Sequence, residues 1–318
     1  PFVETVFFNH TPGEGPALRP ALHPTSQRKR EALSRARTRQ RRTRFKSASK
    51  RPIWAASSRS LVLLIVLSPA KRLDFTEADP ALPATERRFR DDTASLAVTA
   101  RRQTRADLRR LMGISDDLAT LNVERFKAFD AESTDGVQAA FAFAGDVYEG
   151  LKARELDAEA LAFAQDHVRI LSGFYGLLRP LDRIQPYRLE MGTRLKTRRG
   201  ASLYDFWGDR ISMQLNADAA GQADPTLVNL ASQEYFGAVD AKALKLPVVT
   251  PQFREEKNGE TRIVSFFAKK ARGAMTRFAI DERVERAVDL KAFDRDGYRF
   301  DKAASTDSDW IFIRSGNS

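Results

Sequence analysis

The residues whose types and spacing could do chemistry in this chain are mostly cations, gathered in two stretches. In the first, Arg179, Arg183, Arg188, Arg194, Lys196, Arg198 and Arg199 alternate with Pro180, Pro186, Tyr187 and Gly192, residues that make turns and exposed loops rather than a uniform helix face. In the second, SFFAKKARGAMTRF over 265–278, Lys269, Lys270, Arg272 and Arg277 follow a strand-like run at the expected start of a helix. Backbone N–H groups and cations can converge on an anion there. Arg grips a phosphate bidentately and Lys adds a point charge, so two such stretches facing each other would make an anion-binding cleft. Gly173 and Gly176, just beyond an apolar run, offer a turn whose N–H groups could approach a phosphate without Cβ interference. A helix C-cap accounts for Gly173 equally well. The competing reading is that these Lys and Arg snorkel or pair with Glu190, Glu255 and Glu256; residue types alone leave the two level.

Other chemistries have less material. With no Cys, disulfides, thiolate zinc sites, iron–sulfur clusters and thiol nucleophiles are excluded, and a reducing, cytoplasmic setting is compatible. Of three His, His10 and His23 lie in an N-terminal segment and His167 sits on an expected helix beside Asp166 and Arg169, which suits a structural residue better than a general base or a ligand. No HExxH, Gly-Lys-Ser/Thr phosphate loop or GxGxxG occurs, and no cofactor is expected. Asp205, Asp209 and Glu234, near Tyr204, Trp207 and Tyr235, could hold Mg²⁺ or act as acid and base, which keeps open a Mg²⁺-dependent enzyme acting on nucleic acid or a phosphorylated small molecule. The blander reading makes them partners of the many Arg. One His is poor material for an iron site.

The formal charge of +11 would point to nucleic acid if it were spread over the chain, but residues 1–60 carry 14 Lys+Arg against 3 Asp+Glu and the other 258 residues hold 39 of each sign. Any basic surface in 61–318 must therefore come from local clustering. The segment 1–60, with its Arg-rich run 28–44 and little apolar periodicity, reads as a disordered basic tail, and a misassigned start is the favoured explanation over a transit peptide or a nonspecific nucleic-acid arm. The run 61–67 is too short to cross a bilayer.

The elements expected to position these residues begin with a buried strand at 61–67, ended by Ser68-Pro69. Helices are expected at 93–112, at 115–129 with Ser115 as N-cap, near 136–143, at 157–171, at 204–220 and from Ala268 onward. Strands are expected at 226–230, 247–253, 261–267 with a turn at Asn258-Gly259, and 310–313. Helices and strands are interspersed without regular βαβ repetition, which predicts an α+β domain over 61–318.

The blocks LIVLSPAK, ERF, FAFAGDVYEGL, LSGFYGLLRPLDRIQPYRLEMG, LYDFWGD, LVNLASQEYF and SFFAKKARGAMTRF, in this order, resemble the signature blocks of the YaaA family, from about Leu63 to Arg314. That resemblance implies a single compact α+β domain with a positively charged cleft and a helix-hairpin-helix element. It also implies a role in the peroxide stress response, protection of DNA, and low free iron. Placed on this chain, the hairpin falls at 170–178, and Lys71, Arg179, Arg188, Lys269, Lys270 and Arg272 become cleft cations. The expected partner is DNA, duplex, bubbled or branched, bound with little sequence preference; no membrane and no protein partner is expected.

Overall fold

The computed structural model describes residues 63–76, 82–221 and 225–315. The expected tail 1–60, with His10 and His23, lies outside them. Strand β1 (Leu64–Leu67) is buried at all four positions, as a β-branched and Leu run must be when it has a partner on each side. Those partners are β2 (Val168–Ser172) and β4 (Leu227–Leu230), both parallel to it. The short β3 (Gly176–Leu178) folds back antiparallel on β2. Beyond β4 come β5 (Val248–Lys257) and, after the antiparallel β6 (Glu260–Arg262) and β7 (Arg299–Asp301), the final strand β8 (Asp309–Ser315). The sheet runs β7-β8-β5-β4-β1-β2-β3, with β6 paired to β5; β8, β5, β4, β1 and β2 are mutually parallel.

The fold is therefore a single compact mixed α/β domain built on a mainly parallel sheet, which corrects the α+β expectation. The parallel order was hidden because β1 and β2, neighbours in space, are about a hundred residues apart. The strand β2 also sits directly behind helix α5 (Ala158–His167). One helix was expected over the whole of 157–171; it starts there, with Asp157 as its N-cap, but the chain turns extended at Val168.

Two other expected helices are split. The 93–112 helix is α1 (Arg90–Arg101) and α2 (Arg105–Met112), parted by Thr104, whose hydroxyl accepts from the Asp107 N–H while the Asp107 carboxylate accepts from the Thr104 N–H. That reciprocal cap stabilises a new helix start. The 204–220 helix is α6 (Leu203–Trp207) and α7 (Arg210–Asp218), broken at Gly208 with φ 51°. Helix α3 (Asp116–Ala128) starts at its Ser115 cap. The segment near 136–143 keeps a single helical turn, Ala139–Ala142, flanked by two small two-stranded pairings. The turn at Asn258-Gly259 has both residues at positive φ, as a tight hairpin demands.

Helix α4 (Asp146–Leu151) crosses α9 (Ser265–Asp281) backbone to backbone. A Cβ at Gly273 would lie 1.7 Å from the Val147 carbonyl oxygen, and one at Gly150 would lie 2.1 Å from that of Lys270. This crossing fixes the start of α9 beside the loop that follows β1. One continuous apolar cluster runs from Leu63 to Phe312 through the sheet and its helices.

Candidate functional site

The outgoing connection of β1 runs toward β2 on one side, while that of β4 runs through α8 (Gln233–Phe236) to β5 on the other. The carboxyl ends of β1 and β4 thus form a topological switch point, the place where open parallel sheets leave a crevice. Ser68 follows β1 and Ser232 follows β4. The Ser68 hydroxyl donates to the Ser232 hydroxyl (3.3 Å) and accepts the Ser232 N–H (2.9 Å). Tyr148 donates to the Ser68 carbonyl (3.1 Å), and Tyr187 shares a 2.7 Å bond with the Ser172 hydroxyl. Burial pushes the phenols of Tyr148 and Tyr187 far above the ordinary range, reinforced by nearby Tyr235 for both, by Tyr187 for Tyr148 and by Tyr175 for Tyr187. They act as neutral hydroxyls.

Around this mouth the charges are largely paired. Glu190 binds both Lys71 (3.2 Å) and Arg188 (3.0 Å), and Glu234 accepts the Gly192 N–H at 3.0 Å. Arg188 is mostly buried, and its Nε is a buried donor with no hydrogen-bond partner among the described residues. Arg125, on α3, lies near enough that the Arg188 charge adds to burial in lowering its pKa. Its guanidinium has no hydrogen-bonded or ion-pair partner among the described residues. On the other flank a Cβ at Gly145 would be 3.3 Å from the Ala70 Cβ, and Asp146 pairs with Lys269 at 3.7 Å. Both basic stretches therefore reach the Ser68–Lys71 loop, one through Glu190 and the other through Asp146.

A second feature opens where the 194–199 stretch leaves the mouth. Thr197 and Gly200 form an isolated bridge, and a Cβ at Gly200 would fall 2.2 Å from the Asp205 Cβ. Only glycine fits that close approach, so the chain turns tightly and presents Arg198 and Arg199. The turn faces the second half of α1 across a groove of about 520 Å³, lined by Thr99, Arg102, Lys196, Arg198, Arg199 and Phe206 among others, and by no carboxylate. Arg199 is held by Asp92 (2.5 Å) and lies 4.6 Å over the Phe206 ring. Arg102, Lys196 and Arg198 are exposed and have no hydrogen-bonded or ion-pair partner for their side chains among the described residues.

The remaining expected site residues divide. Arg194 and Lys270 are exposed. Arg179 is bound to the fully buried Asp182 (2.8 Å) and to the Glu86 carbonyl, and Arg183 donates to the Thr134 carbonyl. Arg277 donates to Asp281 (2.8 Å) and to the Lys152 carbonyl, joining α9 to the end of α4. Burial lowers the pKa of Arg272, which lies half-buried on α9.

The segment 170–178 is the β2–β3 hairpin, a strand-turn-strand in place of the helix-hairpin-helix expected there. Gly173 and Gly176 are buried: a Cβ on Gly173 would meet the Leu189 carbonyl oxygen at 2.4 Å, and one on Gly176 the Trp207 ring at 2.7 Å. Close packing, rather than a surface phosphate, explains these two glycines.

Asp205 caps α6, its Oδ2 accepting from the Ala201 and Ser202 N–H groups and the Ser202 hydroxyl. Asp209 is exposed. With Glu234 engaged at Gly192, these carboxylates make no group of three that could hold a metal ion among the described residues. His167 is buried and stacks on Phe163 at 3.7 Å, with Nδ1 2.8 Å from the Phe163 carbonyl oxygen. Sequence reasoning missed Arg102, whose neighbours across the groove are about ninety residues away, and Arg125, whose neighbour Arg188 is about sixty residues away. It also missed the Ser68–Ser232 pair, for which the strand-ending Ser in LIVLS and LVNLAS was the available signal.

Comparison with known proteins matches residues 63–304 to a family model described as "Peroxide stress protein YaaA". The chain is 64% identical over 252 residues to a UPF0246 protein of Caulobacter vibrioides, covering 79% of this chain and 99% of that one. It is 63% identical over 252 residues to one of Phenylobacterium zucineum (79% and 95%) and 57% identical over 254 residues to one of Ruegeria pomeroyi (79% and 98%). No described helix is long and apolar enough to cross a membrane. From the match over residues 63–304 and these identities, the chain belongs to the YaaA peroxide stress protein family.

Proposed function

We propose that this chain is a cytoplasmic DNA-binding protein of the peroxide stress response, which binds duplex or structured DNA with little base preference and limits oxidative damage and free iron. The observation that carries this reading is the carboxylate-free groove between α1 and the 196–199 turn, with Arg102, Lys196 and Arg198 exposed and unpaired among the described residues. Cations in that state release condensed counterions when they meet phosphates, whereas cations already held by carboxylates exchange one partner for another and gain little. The groove has hydroxyls in Ser95, Thr99 and Thr197, which suit phosphate oxygens, and no array of amide side chains to read base edges. The reading retains Arg194, Lys196 and Arg198 from the first basic stretch. It sets aside Arg179, Arg183 and Arg277 as fold-holding residues, along with the two buried glycines. The test is DNA binding by a chain carrying Arg102→Ala, Lys196→Ala and Arg198→Ala: affinity for duplex DNA of unrelated sequences should fall uniformly, and unaltered binding would refute the groove as the interface.

A further inference from the structure

Away from the groove, the entry to α9 exposes side chains that a folded chain ordinarily covers. Ile263, Phe266 and Phe267 are 55%, 50% and 38% exposed, and among the described residues no other stretch of five holds three large exposed apolar side chains. The cluster is firmly held. The Gly150–Gly273 crossing fixes α9 against α4, and the Phe266 and Phe267 rings pack edge to face with centroids 5.4 Å apart. The Arg314 guanidinium lies 4.3 Å over Phe267 while donating to Glu255 at 2.6 Å. One helical turn on from Phe266, on the same face, come Lys269 and Lys270, and Arg262 directly precedes Ile263; all three cations are exposed. Among the described residues only Asp146 pairs with any of them, reaching Lys269 at 3.7 Å. Single exposed apolar side chains are ordinary, but an apolar cluster rimmed by cations marks a contact surface.

The partner must combine negative charge with flat apolar faces, within the reach of one helical turn. A stable protein interface needs about 800 Å² on each side, far more than three side chains supply. A helix that lies on a bilayer carries its apolar stripe along its length, whereas here the stripe ends at Phe267 and the following turns, Ala271 and Gly273 to Thr276, are buried. An unpaired nucleic-acid strand fits: each base offers a π-face, and each is flanked by phosphates. We infer that Phe266, with Phe267 packed against it, is a stacking platform for unpaired bases of a DNA strand, whose phosphates are met by Arg262 and Lys270. The inference rests on the DNA reading but on a surface of its own, since none of these cations lines the groove. It gives the chain a contact to unpaired bases that the groove, which meets phosphates alone, does not make.

The test uses the full chain with three fluorescent probes read by anisotropy: an oligothymidylate single strand, an abasic strand of the same length, and a mixed-sequence duplex. Phe266→Ala should weaken oligothymidylate binding about fivefold or more, the loss of one base stack, and should leave the abasic strand and the duplex within about twofold. Phe266→Leu, apolar but without a π-face, should behave as Phe266→Ala does, and Phe266→Trp should bind as the native chain does. Replacing Arg262 and Lys270 by Ala should make the salt dependence of single-strand binding shallower. In the Arg102→Ala, Lys196→Ala, Arg198→Ala chain, single-strand binding should keep its sensitivity to Phe266. If the native chain binds duplex and no single strand, only the stacking inference falls; if the groove replacements spare duplex binding while Phe266 governs the single strand, only the groove falls. The inference is overturned if Phe266→Leu binds oligothymidylate as the native chain does, or if the abasic strand loses as much affinity on Phe266→Ala. It is overturned equally if Phe266→Ala abolishes sedimentation with phosphatidylglycerol vesicles and spares every DNA probe.

Discussion

Two neighbouring regions are both rich in Lys and Arg, and the partners of those residues set them apart. From Arg179 to Arg188 the guanidiniums are spent on the protein: Arg179 on Asp182, Arg183 on a carbonyl, Arg188 on Glu190. A few residues on, Lys196 and Arg198 reach solvent with no carboxylate beside them, and Arg102 faces them from just past the end of α1. The same residue types therefore hold the fold in one region and are available to a phosphate in the other. What decides the role of a cation is whether an acceptor already sits within about 4 Å of it, a matter of tertiary placement.

The sharpest way to expose the fold-holding role is at an ion pair whose two side chains are both buried. Asp218 binds Arg169 at 2.6 Å, with side chains 4% and 5% exposed, and also binds Arg88. Asp218→Asn leaves the Arg169 charge buried and poorly compensated, and should lower stability by about 3–5 kcal/mol, read as a shifted urea midpoint. An unchanged midpoint would contradict the premise that a cation paired inside the protein holds the fold. The groove should behave in the opposite way: the triple replacement of Arg102, Lys196 and Arg198 should leave stability within about 0.5 kcal/mol, since exposed unpaired side chains contribute little. The same replacement should weaken duplex binding about tenfold or more at low salt.

Acid offers a smaller, graded test. His167 is held neutral, burial depressing its pKa below the ordinary 6.5 against the opposing hydrogen bond to the Phe163 carbonyl. A depressed histidine contributes stability that is full above the unfolded pKa and declines as pH falls below it, because the unfolded chain takes up the proton first. Stability should therefore begin to fall just below pH 6.5, and His167→Gln should flatten that part of the profile. Asp218 follows at lower pH: burial raises its pKa, but the charges and hydrogen bonds of Arg169 and Arg88 outweigh that and hold it below 3.8. Its contribution is present above 3.8 and is lost as pH falls through the folded value. The smallest effect is expected at Asp209, exposed at the start of α7: Asp209→Ala should change neither stability nor DNA affinity by more than about 0.5 kcal/mol. A metal-dependent turnover abolished by that change would revive the enzymatic reading.

The helix starts at Ser115 and Asp157, the tight turn at Asn258-Gly259 and the buried strand around Ile65 could be read from local chemistry, because caps, positive-φ turns and apolar runs act within a few residues. The parallel sheet was not legible. Val168–Ser172 is as apolar as the helix before it, and its partner β1 lies about a hundred residues upstream. The same distance hid the site. Lys196 was recognisable as a loop cation, but the absence of a carboxylate beside it, and the presence of Arg102 across the groove, depend on how α1 packs. Gly173 and Gly176 misled for the converse reason. A glycine that admits a phosphate and one that admits a carbonyl or an indole ring are identical in sequence; only the Leu189 backbone and Trp207 tell them apart.

The central claim, that unpaired groove cations and not the paired ones meet DNA, is tested most directly by the salt dependence of duplex binding in the native chain, the groove variant and Arg179→Ala. The logarithm of affinity should fall linearly with the logarithm of salt concentration in the native chain. The groove variant should give a slope shallower by roughly 0.9 for each phosphate contact removed, and Arg179→Ala should leave the slope unchanged. A groove variant with the native slope, or a slope that flattens on loss of Arg179 alone, would contradict the account.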